Sequence, residues 1–349
     1  MKKKIDIRQL SLEQLTDEIV KLGEKPYRAK QVHQWLWKKR AIDFDQMTNL
    51  SKSFRKLIEN NFIINALVLS EAQISSDKTI KNAFLLADNS VIEGVLIPTK
   101  KRMTACVSVQ VGCSLDCAFC ATGKLKRIRN LNADEIYDQV VMINDQSQKE
   151  YSIPISNIVY MGMGEPLLNY KNVLLSVDKI TSEDGLGMSA KRITISTAGI
   201  HKKIIRLADD KVKFNLALSL HAANDEKRNK IMPINESNSL NSLKQAMIYF
   251  SEMTGTRPTL EYIIFKDFND EISDAEELVQ FAKSFPSKIN IIEYNSIDEG
   301  KYQQATVKKV DAFASYLESK NLIVNIRRSR GKDIDAACGQ LANKNELAR

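Results

Sequence analysis

The chain has 349 residues, more than the usual size of one domain, so two domains, or one barrel with an appendage, are expected. Hydrophobic residues make up 43% of it, enough for a large core, but no apolar run of about eighteen residues could span a membrane and the basic N-terminus lacks the apolar stretch of a signal peptide. The net charge is +8, and the five cysteines, four of them between positions 106 and 120, exclude a secreted disulfide scaffold and favour a reducing, cytoplasmic location.

The first part of the chain, residues 1–62, predicts a small helical domain. Ser11 and Gln14 have the spacing of a capping box ahead of an amphipathic helix, Gly23 ends that helix, and Pro26 suits the first turn of the next one. Residues 1–60 hold 14 Lys and Arg against 8 Asp and Glu, a net charge of +6. Such an excess favours a phosphate-rich partner, although a solvated helical surface would show the same composition.

Two tryptophans on the second helix cannot share one helix face, because Trp35 and Trp37 are two positions apart. One is expected in the core and the other exposed beside the basic residues 38–40, where a nucleic acid base could stack. For His33, a surface or capping position is expected rather than a ligand position. A third helix is expected near residues 51–60.

Between residues 63 and 98 the pattern changes to short β-rich runs, and NAFLLAD and VIEGVLI, separated by a polar turn, predict a β-hairpin. Between 99 and 331, strands alternate with helices. The strand segments are TACVSVQV, SNIVYM, RITIS, KFNLALSL, TLEYIIF, KINIIEY and LIVNIRR. This alternation predicts an α/β fold with a parallel sheet of about six βα units, a barrel or partial barrel whose site lies at the C-terminal ends of the strands. Residues 332–349 follow as a C-terminal loop.

Directly after the first of these strands, three cysteines stand close together in CSLDCAFC, namely Cys113, Cys117 and Cys120. A structural zinc site needs four ligands, usually from two CxxC pairs, and no other Cys or His follows within forty residues. Iron–sulfur clusters are held by cysteine thiolates, and three thiolates would leave one iron of a four-iron cube open to a substrate. The spacing therefore predicts a catalytic 4Fe-4S cluster, with a metal knuckle that only holds a loop as the alternative.

The CxxxCxxC spacing resembles that of the radical S-adenosylmethionine (radical SAM) enzymes, and Phe119 matches the aromatic residue usual before their third cysteine. The resemblance implies that the open iron chelates SAM and that the reduced cluster cleaves it to a 5′-deoxyadenosyl radical. After the second barrel strand, Gly164 would let a ligand approach the backbone and Glu165 could bond an ammonium group. Alone, this GEP segment is typical of a strand-end turn, but after a cluster loop it resembles the family's motif for the SAM amino group.

Further candidate residues stand at the ends of the later strands. Small hydroxyls, an amide and an imidazole are what the recognition of ribose and carboxylate groups requires, although each alone is more typical of a turn or cap. As a set at successive strand ends they predict a cofactor pocket, which consists of Ser196, Ser219, Leu220, His221 and Asn295.

Two cysteines lie outside the cluster loop, Cys106 on the first barrel strand and Cys338 in DIDAACGQLA, and alone each would be a buried structural residue. In this chain they accompany GEKPYRAKQVHQWLWKKR, CVSVQVGCSLDCAFCATG, MGMGEPLLN, ISTAGI, SLHA and MPIN. Together these segments closely resemble the RlmN family of bacterial RNA methyltransferases over about residues 5–342. The resemblance implies a partial (βα)6 radical SAM barrel, with an N-terminal helical domain that binds RNA and a small β-hairpin extension.

That family methylates carbon 2 of an adenosine in the peptidyl-transferase centre of 23S rRNA and of the adenosine that follows the anticodon in some tRNAs. Carbon 2 of adenine is electron-poor and cannot attack the methyl group of SAM. The resemblance implies that one SAM methylates Cys338, that a radical from a second SAM removes a hydrogen from this methyl group, and that the methylene radical adds to carbon 2. A base matching Glu93 would then remove the carbon-2 proton, and Cys106 would attack the Cys338 sulfur and form a transient disulfide. By its strand position alone, Glu93 would be an outward-facing residue.

The resemblance also implies 23S rRNA and tRNA as partners, an electron donor such as flavodoxin, and a monomeric enzyme. Two alternatives stay open. The sister enzyme Cfr methylates carbon 8 of the same ribosomal adenosine with the same five cysteines, although CVSVQVGC and SRGKDIDAACGQLA are closer to RlmN. A non-catalytic iron–sulfur protein that binds RNA is the alternative from another class, but it would need neither GEP nor Cys338.

Overall fold

The computed structural model describes residues 4–100, 102–298 and 300–344. Its N-terminal part contains the three expected helices, α1 (Leu12–Lys21), α2 (Tyr27–Trp37) and α3 (Lys52–Asn61), and a short parallel pair of strands, β1 (Ile5–Asp6) and β2 (Phe62–Ile63). The capping box is confirmed, since Ser11 accepts from the Gln14 backbone and Gln14 accepts from the Ser11 backbone.

The rest of the chain alternates strands and helices as predicted. The strands are β3 (Val68–Ile74), β4 (Ile80–Leu85), β5 (Val91–Pro98), β6 (Met103–Cys106), β7 (Gln110–Val111), β8 (Arg129–Asn130), β9 (Asn157–Tyr160), β10 (Ile193–Thr197), β11 (Asn215–Ser219), β12 (Thr259–Ile264), β13 (Lys288–Glu293) and β14 (Val324–Arg327). The helices are α4 (Ala121–Lys124), α5 (Ala133–Tyr151), α6 (Tyr170–Thr181), α7 (His201–Asp209), α8 (Asp225–Ile231), α9 (Leu240–Thr254), α10 (Ile272–Ala282) and α11 (Val307–Ser319). None of the described helices is long and apolar enough to cross a membrane.

One ten-stranded sheet organises the molecule, in the order β14-β13-β12-β11-β10-β9-β6-β5-β4-β3. Seven of these strands pair in parallel, namely β6, β9, β10, β11, β12, β13 and β14. The six crossovers between them confirm the α/β fold with six βα units followed by a final strand. Strands β5, β4 and β3 extend the sheet with antiparallel pairing. Because parallel strands all end at the same edge, the loops after β6, β9, β10, β11 and β13 meet at one mouth of the partial barrel.

Three details differ from the sequence-based expectations. The first barrel strand ends at Cys106, and the following Gln110 and Val111 pair separately with β8. The hairpin has a third strand, β3, whose exposed residues give little apolar alternation from which to predict it. The expectation of a surface position for His33 is wrong: its side chain is buried and lies 2.8 Å from the Nζ atom of Lys179 on α6, because the N-terminal domain packs against the barrel.

A buried arginine joins the N-terminal segment to the barrel. Arg8 forms two hydrogen bonds to Asp138, of 2.7 and 2.9 Å, and an ion pair of 3.2 Å with Asp134, both on α5. A third hydrogen bond, to the Asn65 carbonyl at 2.7 Å, reaches the segment that leads into β3. These contacts fix the basic N-terminal domain beside α5.

Candidate active site

The three clustered cysteines lie on the loop between β7 and α4, at the mouth of the barrel. The Cys120 N–H donates to the Cys117 carbonyl at 3.1 Å, and the Ala118 N–H donates to the Ile231 carbonyl at the end of α8. Burial raises the pKa of the Cys113 thiol to about 11, and burial followed by the charges of Cys120 and Cys113 raises the pKa of Cys117. The loop therefore folds back on itself and brings the three thiols within electrostatic reach of one another.

This donor set fits a four-iron cluster. All three cysteines are free and half-buried, so none of the three sulfurs is already used in a disulfide. Among the described residues no three His, Cys, Asp or Glu side chains are arranged to hold a single metal ion. A 4Fe-4S cube makes a different demand, since each thiolate binds its own iron and the sulfurs need not converge on one point.

The GEP turn after β9 is tightly built. Gly164 has a φ of +96°, and a Cβ atom there would lie 2.5 Å from the Cβ atom of Gln110, so both the conformation and the space require glycine. The carboxylate of Glu165 is buried and accepts three hydrogen bonds, from the Thr197 hydroxyl and the Ala198 N–H, each 2.7 Å, and from the Leu167 N–H at 2.9 Å. Burial raises the pKa of Glu165 against these bonds. The carboxylate thus joins the end of β9 to the end of β10.

The polar residues predicted at the strand ends are partly brought together. The hydroxyl groups of Ser196 on β10 and Ser219 on β11 lie 3.2 Å apart. Asn295, two residues beyond β13, is buried, and its Oδ1 atom has no hydrogen-bond partner among the described residues. A buried acceptor without a donor is costly, so this atom fits a site in which a ligand supplies the donor, as the ammonium or ribose hydroxyls of SAM would.

Two residues of the predicted pocket have structural contacts of their own. Leu220 is fully buried, and its N–H donates to the Glu261 carbonyl at 3.0 Å. His221 has a φ of +57°, its Nδ1 atom accepts from the Ile263 N–H at 3.1 Å, and burial lowers the pKa of its ring to about 3. The ring also packs edge-on against Phe119 of the cysteine loop, with centroids 4.8 Å apart. His221 therefore supports the cluster loop as a neutral side chain.

The C-terminal segment crosses the mouth of the barrel and is held on both sides. On the β13 side, the Asn295 side chain donates to the Cys338 carbonyl at 3.2 Å, and the Gln340 side chain donates to the Ser296 carbonyl at 3.0 Å. On the cluster side, the Ala121 N–H donates to the Gly339 carbonyl at 2.7 Å and the Thr122 hydroxyl to the Leu341 carbonyl at 2.6 Å. These four bonds hold the segment that contains Cys338 at the mouth of the barrel.

Cys106 lies within electrostatic reach of Cys338. Cys106 is buried, and burial followed by the charge of Cys338 raises its pKa to about 12. Cys338 is solvent-exposed as a residue, but neighbouring protein atoms desolvate its thiol and raise the pKa of the thiol to about 11. Arg327 of β14 opposes the rise at both thiols. The two free thiols are 232 positions apart in the sequence, and the fold places both within electrostatic reach of Arg327.

Glu93 is buried, and does not have the outward position that its place in the strand suggests. Its Oε2 atom accepts from the backbone N–H groups of Ala342 and Asn343 at 2.8 and 3.0 Å, so the segment that carries Cys338 also holds this carboxylate. Its Oε1 atom lies 3.8 Å from the Nζ atom of Lys81.

Several buried polar residues near the site escaped prediction from the sequence. Arg228 on α8 is fully buried and donates to four acceptors around the ends of β10 and β11. Glu261 on β12 accepts from Asn290 at 2.8 Å and from Arg327 at 3.4 Å. The available signal for Glu261 was a charged residue inside the apolar run TLEYIIF, whereas Arg228, in the charged run DEKRNK, looks like part of a solvated surface.

Of the two tryptophans of the N-terminal domain, one lies in the core as predicted, while the other is only partly exposed. Trp37 is buried against Tyr137, with ring centroids 5.2 Å apart. Trp35 is half-buried, and the Nζ atom of Lys39 lies 3.8 Å from its ring centroid. A cation over an aromatic face at the surface is a feature that single-stranded nucleic acid sites use.

Comparison with known proteins identifies relatives over almost the whole chain. The family model "Ribosomal RNA large subunit methyltransferase N-terminal domain" matches residues 5–64, and the model "Radical SAM superfamily" matches residues 107–282. A protein of Cytophaga hutchinsonii, named "Probable dual-specificity RNA methyltransferase RlmN", is 59% identical over 98% of this chain and 94% of its own length. A Flavobacterium johnsoniae protein of the same name is 53% identical over 98% of each chain. The crystal structure of a radical SAM methyltransferase from Sphaerobacter thermophilus superposes with a TM-score of 0.90 at 36% identity, covering 97% of this chain and 99% of the other.

Proposed function

This chain belongs to the RlmN family of radical SAM methyltransferases, and we propose that it methylates carbon 2 of adenosine in 23S rRNA and in tRNA. The observation that supports this most directly is the pair of thiols at the barrel mouth. A non-catalytic iron–sulfur protein has no need for a chain end tied across its cluster loop by four hydrogen bonds, and the Cys338 segment is tied in that way.

Cys113, Cys117 and Cys120 would hold the cluster, and Gly164, Glu165, Ser196, Ser219, Leu220, His221 and Asn295 would surround SAM. When bound, the reduced cluster and SAM would supply the hydrogen-abstracting radical, the methyl groups and a store for the electron that the reaction releases. Two SAM molecules are needed per turnover, one for the methyl group and one for the radical. Electrons would come from a donor such as flavodoxin. The enzyme would act as a monomer, and its RNA substrates would be met in the cytoplasm.

The chain's own residues would then carry the methyl group to the base. Cys338 holds it as a thioether, which becomes bonded to carbon 2 of the adenine after loss of one hydrogen atom. Glu93 takes the carbon-2 proton. The Cys106 thiolate attacks the Cys338 sulfur, so an S–S bond forms and the C–S bond breaks; its electron pair stays on the methylene carbon, which takes a proton and becomes the product methyl group. The hydrogen bond that holds Cys338 beside Asn295, together with the electrostatic reach of Cys338 to Cys106, supports this sequence.

The identity of the methylated nucleoside tests the proposal. Anaerobically reconstituted protein, incubated with SAM, a reductant and RNA, should form 2-methyladenosine in a 23S rRNA fragment and in tRNA. Nuclease digestion followed by mass spectrometry against synthetic 2-methyl and 8-methyl standards measures this. A carbon-8 product would identify a Cfr-like enzyme instead, and RNA binding without any methylated nucleoside would support the non-catalytic alternative.

The basic N-terminal domain is proposed to grip the RNA. Replacing Lys38 and Lys39 with Glu should weaken RNA binding and reduce the slope of log K against log salt by about two, because each lysine contributes about one counterion. Arg40 is best left unchanged, since it pairs with Asp145 of α5 at 2.7 Å.

The matched control replaces Lys283 and Lys308 with Glu. Both lysines are exposed; Lys283 directly follows α10, and Lys308 lies on α11. RNA binding measured at several salt concentrations should be unaffected by the control, and SAM cleavage without RNA should survive in both variants. Equal RNA affinity of the Lys38 and Lys39 variant and the unchanged protein at every salt concentration would show that the basic segment is only a solvated surface.

A further inference from the structure

One face of the sheet extension carries a line of polar residues that leads from Cys106 to the sheet edge. Across the antiparallel pairs, Cys106 faces Val95, and Val95 faces Lys81. Paired residues, and residues two apart on one strand, point to the same face of a sheet. By this register one face holds the following side chains: Cys106 of β6, Glu93 and Val95 of β5, Lys81 and Ala83 of β4, and Glu71 and Gln73 of β3.

Lys81 and Glu93 form a buried ion pair on this face without a direct hydrogen bond. Their side chains are 9% and 2% exposed, and the Nζ and Oε1 atoms are 3.8 Å apart. A cavity of about 10 Å³, roughly the space of one water molecule, is lined by both residues together with Glu71, Gln73 and Ala83. Gln73 in turn donates to Glu71 at 2.6 Å on the edge strand β3. The buried carboxylate thus has a polar connection to the edge of the sheet.

The groups next to the two oxygen atoms of the Glu93 carboxylate differ in whether they can accept a proton. The Oε2 side meets only the N–H groups of Ala342 and Asn343, which are donors and cannot accept a proton. The Oε1 side faces the cavity, where a water molecule and the Glu71 carboxylate are acceptors. The Lys81 ammonium stabilises the negative charge of Glu93, and charge is what a general base needs before it acts.

We propose that Lys81 is a positioning residue for Glu93 and that the cavity beside it is the exit for the carbon-2 proton, an inference that rests on the proposed role of Glu93. The carbon-2 C–H bond breaks, its electron pair stays on the RNA adduct, and the proton converts Glu93 to a neutral carboxyl group. Glu93 then passes the proton through water in the cavity to Glu71 and solvent and becomes a carboxylate again. Lys81 keeps its ammonium charge throughout.

The test follows release of the protein–RNA adduct in a single turnover, with target RNA that carries hydrogen or deuterium at carbon 2. Lys81→Met should slow release about tenfold or more and enlarge the deuterium isotope effect, because proton removal becomes the slow step. Lys81→Arg, which keeps the positive charge, should restore most of the rate. A purely structural lysine would leave the isotope effect unchanged.

Two controls make the result specific. Lys149→Met removes the same charge from an exposed site at the end of α5 and should change nothing. Cluster absorbance and SAM cleavage without RNA should stay normal in Lys81→Met, as for a folded protein. Glu71→Gln, on the exposed edge strand, gives a second reading that does not depend on how well the Lys81 variant folds, and it should slow release several-fold.

The outcomes separate this inference from the proposed function. If Glu93→Gln accumulates adduct while Lys81→Met and Glu71→Gln release it at the unchanged rate, Glu93 is the base but the proton does not leave through this cavity. The proposed role of Lys81 is likewise overturned if Lys81→Arg is no better than Lys81→Met. If Glu93→Gln itself releases product normally, the assignment of the base is wrong and the exit falls with it.

Discussion

Cys106→Ala should produce a protein that purifies covalently bound to RNA. In the proposed mechanism, the variant retains Cys338, which would still take up the methyl group and bond to carbon 2, but it lacks the thiol that would break the C–S bond. Release requires two sulfurs within bonding distance, about 2 Å once the disulfide forms. Cys106 is a free thiol outside the cysteine loop, and it lies within electrostatic reach of Cys338. A denaturing gel should show a slowly migrating band that shifts to the position of the free protein after nuclease treatment. Mass spectrometry should find a nucleotide on the peptide that contains Cys338.

The companion variant Cys338→Ala should fail earlier. With no carrier thiol it should bind no RNA covalently and form no methylated nucleoside, yet retain about four irons per chain, since Cys113, Cys117 and Cys120 are intact. Cys106→Ala should show the same iron content, which excludes loss of the cluster as the cause of its defect. Normal turnover by Cys106→Ala, with no attached RNA, would reduce Cys106 to a core residue.

Local signals account for the parts of the fold that the sequence predicted well. The capping box of Ser11 and Gln14 spans three positions, so this motif is readable without the fold, and it is present in the structure. The apolar strand cores are equally readable, and the order of βα units follows from them. The joining of β5 to the barrel sheet escaped prediction although it pairs neighbouring strands. Only four residues, TKKR, separate β5 from β6 in the sequence, and they include none of the Gly, Asn or Asp residues that signal a tight hairpin turn.

The site residues likewise fall into those with a local sequence signal and those that depend on distant partners. The cysteine loop and the GEP turn are short segments with their own spacing, so their place at the mouth of the barrel could be expected from the strands before them. The buried state of Glu93 depends on a C-terminal segment about 250 positions away, and that of His33 on Lys179. No window of sequence contains both partners, and a charged or polar residue in isolation is expected at the surface.

Arg228 is the clearest case of a residue whose importance only the structure reveals. Its guanidinium group donates to the carbonyl oxygens of Leu220 at 3.0 Å, Ala198 at 2.6 Å and Ser219 at 3.2 Å, and to the Asn235 side chain at 2.6 Å. Burial lowers its pKa to about 10, so the group remains charged at neutral pH. No carboxylate among the described residues lies within ion-pair distance of it, and the carbonyl oxygens therefore supply its stabilisation.

Arg228→Met should accordingly destabilise the protein severely. The apolar side chain fills similar space but leaves several buried carbonyl groups without donors, which costs about 4 kcal/mol of unfolding free energy and roughly 10 °C in apparent melting temperature. Arg228→Lys should recover only part of this, because one ammonium group cannot span acceptors on two strands and a loop. Thermal unfolding measures the effect, and Arg192→Met, at an exposed arginine just before β10, is the matched control. Ala198 follows β10 and Ser219 ends β11, and these two strands carry the hydroxyl pair of Ser196 and Ser219. SAM affinity should therefore fall along with stability in Arg228→Met. If Arg228→Met is as stable as the control, water replaces the guanidinium donors. Arg228 would then not be needed to hold the ends of β10 and β11 together.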